Sequence, residues 1–227
     1  MSDSIVINLI VEGQTEQKFV EHVLAPYWAP KGIYAYATIL EKKGTNGGDV
    51  RFSRAKSQIC AFLKQRKDTL VATFVDYYGL KEWPGLEVLR LKTSCTPEQI
   101  EKTLNDGAVS EVRSALPEIN VPSRYIPFVA VHEFESLLFS SPERLAASLG
   151  IQKDLVIRTI AECGSPEMIN NSPETAPSKR IDRWSQNHYH KTTQGITLAE
   201  EIGIDVMRAQ CPNFDDWLKN VELKVTT

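Results

Sequence analysis

The sequence predicts an α/β protein: a mostly parallel sheet flanked by helices, with a C-terminal helical layer. Three observations predict it. Ile5 to Val11 is an almost unbroken β-branched apolar run, as expected of a strand covered on both faces. From there to Asp76 the pattern alternates strand, helix, strand, helix, strand, which favours parallel pairing through crossover helices in a doubly wound sheet. Beyond Gly150, strand-like runs give way to short amphipathic stretches.

The elements follow in order. Glu12-Gly13-Gln14-Thr15-Glu16 makes a tight turn into a helix carrying Phe19, Val20, Val23 and Leu24, which Pro26 is expected to end. Tyr36 to Leu40 reads as a second strand and Gly44 to Gly48 as a flexible loop. Arg51 to Lys67 reads as a helix with Ile59, Phe62 and Leu63 inward, and Leu70 to Val75 as a strand ending at Asp76. Tyr77 to Pro84 is a loop broken by Gly79 and Pro84, and Thr96-Pro97-Glu98-Gln99 opens a helix running towards Leu116. Tyr125 to Val131 is a further strand, placed near a sheet edge by Pro127, and Ser136 to Phe139 continues as a short helix. Lys153 to Glu162 is helical and Gly164 to Ser178 is a loop. Three short helices follow, near Pro177 to Ser185, Leu198 to Met207 and Phe214 to Lys219. This gives an α/β core over residues 1–140 and a helical extension over 141–227, packed as a layer rather than folding separately.

Composition bounds the function. Apolar residues make up 42% and charged residues 24%, so disorder is not expected. With 26 basic against 29 acidic residues the net charge is −3, which excludes a pan-basic nucleic-acid coat and leaves only a local basic patch or a partner subunit. Cys60, Cys95, Cys163 and Cys211 are scattered, with no Cys-x-x-Cys pair. They suggest neither a zinc ribbon nor a disulfide framework, and they fit a cytoplasmic location. Met1 to Ser4 show no basic n-region or cleavage site, and no apolar stretch approaches a membrane-spanning length.

Functional groups in open α/β sheets gather beyond the carboxyl ends of the strands. Three predicted strands end there in acid: Glu12, Asp76 and Glu133. Carboxylates from separate strands suit Mg²⁺ or Mn²⁺, a hard cation that keeps several waters and takes few protein ligands. Such an ion activates water and neutralises charge developing on phosphate. Each acid also has a plainer reading. Glu16 lies in a first helical turn, where a carboxylate simply suits the helix dipole. Glu133 and Glu135 share a face if the strand continues, whereas His132 and Glu135 share one if a helix has begun. A lone His132 suits a structural role as well as a catalytic one.

The basic groups are less specific. Lys179, Arg180 and Arg183 follow Pro177 at a helix start and suit either phosphate contact or a solvated face. His188-Tyr189-His190-Lys191 reads as a polar loop with phosphate contacts rather than a metal site. Arg51, Arg54 and Lys56 stand where they could guide a nucleic-acid backbone. Gly44 to Gly48 lacks the Gly-Lys-Ser/Thr of a nucleotide-binding loop, so any ATP hydrolysis belongs to a partner.

Four segments, Glu12-Gly13-Gln14-Thr15-Glu16, Asp76-Tyr77-Tyr78-Gly79-Leu80, His132-Glu133-Phe134-Glu135 and Ala176-Pro177-Ser178-Lys179-Arg180-Ile181, together resemble the signatures of the bacterial DUF4276 family. That family is similar to the TOPRIM fold of topoisomerases, primases and overcoming-lysogenisation-defect nucleases. The resemblance implies a TOPRIM-like core and a proton-handling or metal role for Glu12, with Glu16 beside it. It implies that Asp76 binds metal and that Lys179 and Arg180 are functional. The sequence departs from the TOPRIM pattern at Tyr78, where a second aspartate would stand, and Glu133 or Glu135 can fill the gap. Glu133 is expected to, because it directly follows its strand. The expectation is a Mg²⁺- or Mn²⁺-dependent nuclease acting on DNA or RNA, with phage defence as a setting. The alternative is a non-catalytic or conditionally active subunit beside an ABC-type ATPase. Either is compatible with a homo-oligomer.

Overall fold

The computed structural model describes residues 4–40, 50–92, 94–131, 133–169 and 174–224. The Gly44 to Gly48 loop and His132 lie outside the described residues. The chain forms two compact units, Met1–Val131 with Trp217–Thr227, and His132–Asp216. The sequence reading placed a divide near residue 140.

The first unit opens with β1 (Ile5–Val11). A helical stretch follows: α1 (Gln14–Phe19), one π turn (Val20–Leu24) and α2 (Ala25–Trp28). Next come β2 (Ile33–Ile39), β3 (Val50–Arg51), α3 (Phe52–Gln65) and β4 (Thr69–Asp76). A 3₁₀ turn (Tyr77–Gly79) leads to β5 (Leu80–Glu82) and α4 (Leu86–Arg90). Then α5 (Pro97–Ala115), α6 (Val121–Arg124) and β6 (Tyr125–Ala130) complete the unit's first pass. The predicted start of α5 is realised as a capping box. Thr96 Oγ1 accepts the Gln99 N–H at 3.3 Å, and the Gln99 side chain accepts the Thr96 N–H at 3.2 Å.

The main sheet is parallel throughout, in the order β2-β1-β4-β6. The chain steps from β1 outward to β2, then returns to the other side of β1 for β4. The strand order therefore reverses between β1 and β4, the crevice where open α/β sheets bind ligands. Seven of the eight residues of β4 are buried, as a central strand covered on both faces requires. One face packs Val71 and Val75 against Ile59 and Leu63 of α3 and Leu104, Ala108 and Val112 of α5. An aromatic cluster of Phe19, Trp28, Phe74, Phe128 and Trp217 is the other large buried group of the unit. Pro127 sits in β6, an edge strand, where a residue without an N–H is tolerated.

The second unit is helical. A 3₁₀ stretch (Phe134–Ser140) is followed by α7 (Pro142–Leu149), α8 (Lys153–Cys163) and a 3₁₀ turn (Pro166–Met168). Then come α9 (Pro177–Trp184), a π turn (Lys191–Gly195), α10 (Ile196–Ile202) and α11 (Ile204–Gln210). Finally α12 (Pro212–Leu223) carries the chain back to the first unit. No helix among the described residues is long and apolar enough to cross a membrane.

Three differences from the sequence reading have physical causes. Pro26 does not end the first helix, which runs on to Trp28. The wider π turn just before it already replaces the regular i−4 bonds, so the missing N–H breaks less of the ladder. The single helix expected over Leu198 to Met207 is two, because Gly203 adopts φ 79° between them. The last residues belong with the sheet because Trp217 stacks on Phe128 at 4.9 Å and its Nε1–H donates to the Ile126 carbonyl at 3.4 Å. Trp217→Ala is therefore expected to cost about 3–5 kcal/mol of stability, read as a lower urea midpoint at unchanged slope.

Candidate functional site

The first unit gathers its acids at the carboxyl edge of the sheet, on both sides of the strand-order reversal. Register sets their positions: Val11 of β1 pairs with Phe74 of β4, so Glu12 leaves its strand beside Val75 and Asp76. Asp76, the last residue of β4, pairs in turn with Ala130 of β6. The Glu12 carboxylate lies directly against the Cα of Gly79. A Cβ added there would stand 2.7 Å from Glu12 Oε2 and 2.9 Å from Oε1. Gly79 is thus a close-approach glycine, and the turn after Asp76 folds back over Glu12 only because no side chain intervenes. Glu16 is buried, and its Oε2 accepts the Gly13 N–H at 2.9 Å, closing the turn that leads from Glu12 into α1. Tyr78 is half exposed and meets Tyr77 edge-on at 5.6 Å.

The second unit holds the other acids. Glu133 is half-buried, and its Oε2 accepts the Ser178 N–H at 2.8 Å. It caps α9 from 45 residues away: Ala176 at the N-cap offers no side-chain acceptor and Pro177 has no N–H. Glu135 is 1% exposed and pairs with Lys191 Nζ at 2.9 Å, while the Lys191 side chain stays 45% exposed. Burial raises the Glu135 carboxyl above the usual range; Lys191 offsets this and the Glu133 charge adds to it. Tyr189 is 9% exposed, and its hydroxyl lies against Gly195, where any Cβ would collide with it. Burial, then the charges of Glu135 and Glu133, push its phenol far up.

A family model described as a domain of unknown function (DUF4276) matches residues 11–222, nearly the whole chain. The chain belongs to the DUF4276 family. No curated protein and no solved structure matches it.

Within this DUF4276 chain the first unit brings together Glu12, Glu16 and Asp76, while Glu133, Glu135, Lys179 and Arg180 belong to the second. Lys179 extends into solvent; Arg180 turns back, its Nε–H donating to the Thr175 carbonyl at 2.8 Å. Arg183 likewise donates to the Glu174 carbonyl. Arg51 and Lys56 are ion-paired, with Glu82 at 3.3 Å and Glu111 at 2.8 Å. His188 Nδ1 meets the Ser185 carbonyl at 3.0 Å. Among the described residues, no group of three or more His, Cys, Asp or Glu side chains is gathered for metal binding.

Sequence reasoning missed Gly79 as a contact residue, treating it only as a loop breaker. It also missed Gly195 and the pairing of Glu135 with Lys191. The one available signal was the crowding of Asp76, Tyr77, Tyr78 and Gly79 directly after a buried strand. Glu133→Ala is expected to lower stability by about 1 kcal/mol through loss of the α9 cap. Glu133→Gln should lose less, because its amide oxygen still accepts from Ser178. Thermal unfolding of the two variants separates these outcomes.

Proposed function

We propose that this DUF4276 protein is a Mg²⁺- or Mn²⁺-dependent phosphodiesterase acting on nucleic acid. The observation that carries the reading is the placement of Glu12 and Asp76. They end adjacent parallel strands on either side of the strand-order reversal, and Glu12 is pressed onto Gly79. A TOPRIM-like relationship agrees with this arrangement.

The donor set fits the ion. Glu12 and Asp76 offer hard carboxylate oxygens, and Mg²⁺ commonly takes one or two carboxylates and completes its shell with water and substrate phosphate. When bound, the ion supplies Lewis acidity and a more acidic water. Asp76, at the end of a buried strand, would contribute a carboxylate ligand. Glu12 accepts or returns a proton at its carboxylate, or shares the ion. Glu16 holds the Gly13 turn and so fixes the direction in which Glu12 leaves β1. Glu133, Lys179 and Arg180, which the sequence offers as a further carboxylate and as phosphate contacts, belong to the second unit, where Glu133 bonds Ser178 and Arg180 bonds Thr175.

Purified protein is expected to cleave DNA or RNA with Mg²⁺ or Mn²⁺, and Asp76→Ala and Glu12→Ala to abolish cleavage. Gly79→Ala should also abolish it while leaving the unfolding midpoint nearly unchanged, because the added methyl meets the end of a side chain rather than backbone. Cleavage indifferent to both alanine substitutions at the acids would reject the assignment.

A further inference from the structure

β2 forms one edge of the main sheet, and no strand among the described residues pairs with its outer side. Its seven residues, Ile33–Ile39, run in unbroken register along β1. At the two ends of that ladder the Ile5 N–H donates to the Gly32 carbonyl at 2.9 Å and the Leu40 N–H to the Val11 carbonyl at 2.8 Å. Bonded and unbonded residues alternate along a parallel ladder, so Tyr34, Tyr36 and Thr38 turn their backbone groups towards β1. Ile33, Ala35, Ala37 and Ile39 turn an N–H and a C=O each outward. Side chains alternate too: Ile33 is buried on one face, while Tyr34 and Tyr36 stand on the other, 46% and 57% exposed. Such an edge is ordinarily blunted by charge, proline or a bulge, and β2 has none of these. The other edge strand, β6, carries Pro127, and the Trp217 indole N–H occupies its Ile126 carbonyl. The residues of β2 also read almost alike in both directions about Tyr36: Ile-Tyr-Ala-Tyr-Ala-Thr-Ile.

We propose that β2 pairs antiparallel with β2 of a second copy of this chain, about a two-fold axis through Tyr36, joining two four-stranded sheets into one continuous sheet. A two-fold interface must be self-complementary: where residue i meets j, j meets i. This strand meets that condition at every position. Ile33 faces Ile39 of the second copy, Ala35 faces Ala37, Tyr34 faces Thr38, and Tyr36 faces its own counterpart. The four outward-turned residues then oppose one another and exchange all their N–H and C=O groups. The tyrosines fall at the non-hydrogen-bonded positions, where side chains approach most closely. Aromatic pairs and aromatic–β-branched pairs across an antiparallel ladder are favourable. The strand carries no charge, so the two copies bring no like charges together on it. An axis through Ala35 or Ala37 would keep a ladder but leave two residues of each strand unpaired, so Tyr36 is the axis that uses the whole strand. The copies run in opposite directions, which sets their Glu12–Asp76 edges on opposite sides of the joined sheet. The interface uses none of those acids, and its test is independent of nucleic-acid cleavage.

Sedimentation velocity of the full-length protein at micromolar concentration should give twice the 25.5 kDa mass of the chain. Tyr36→Lys sets two ammonium groups opposite each other at the axis and should raise the dissociation constant roughly tenfold or more. Ala37→Pro removes an outward N–H and no bond to β1, so it should weaken the dimer likewise. If Ala37→Pro lowers the monomer's unfolding midpoint, Tyr36→Lys decides alone, because its side chain is exposed. Cross-linking then reads the register. Opposed residues at a non-hydrogen-bonded position have Cα atoms about 4.5 Å apart, within disulfide range. Under diamide, Tyr36→Cys should therefore form a disulfide-linked dimer, and Tyr34→Cys, which faces Thr38, should not. Wild-type protein with its own free cysteines is the control. Three results would each overturn the proposal: wild-type protein monomeric throughout the micromolar range, a dimer indifferent to Tyr36→Lys, or cross-linking through Tyr34→Cys in place of Tyr36→Cys.

Discussion

The parallel pairing of β1 with β4 is the constraint on which the rest depends. Its register, from Val6 opposite Thr69 to Val11 opposite Phe74, brings Glu12 and Asp76 out at the same edge. Both strands are packed from both sides, so a one-residue slip would turn every inward side chain to the opposite face. That would separate the two aromatic and aliphatic clusters from their helices. The same slip would carry Glu12 away from Gly79. The position of these acids at the sheet edge therefore follows from apolar packing.

Buried acids are handled in a common way in the second unit. Glu133 caps α9 through Ser178. Glu167 accepts the N–H groups of Asn213 and Phe214, both at 2.9 Å, at the start of α12. Both helices begin with proline after a residue lacking a capping oxygen, Ala176 and Cys211, and both borrow a carboxylate from about 45 residues away. Glu135 differs, because its partner is a side-chain ammonium rather than a backbone amide.

The chain's acidity bears on the proposed function through charge. A protein of net charge −3 cannot hold a polyanion by its overall field. In the proposed function, a metal at the carboxylate edge would invert the local sign and so let an acidic protein meet a phosphate. Of Arg51, Arg54 and Lys56, the basic residues expected to guide a backbone, Arg51 and Lys56 are paired with Glu82 and Glu111.

Much of the fold was legible because it is written in local periodicity. The apolar runs ending at Val11 and Asp76, the Thr96 capping box and the edge placement of Pro127 each follow from neighbouring residues in the sequence. The acids at the strand ends were legible for the same reason, since a charge directly after a fully buried run must leave the sheet. Strand order was not: whether β4 adds beside β1 or beyond β2 depends on which apolar faces the helices cover, a contest among residues tens of positions apart. Nor was the fate of Glu135, which the sequence offers as a metal ligand and the structure hands to Lys191, 56 positions later. The sequence by itself determined which segments become strands and which side chains carry charge. Only the tertiary structure decided which of those charges meet, because a long carboxylate or ammonium takes its partner from whatever packing brings within a few ångströms.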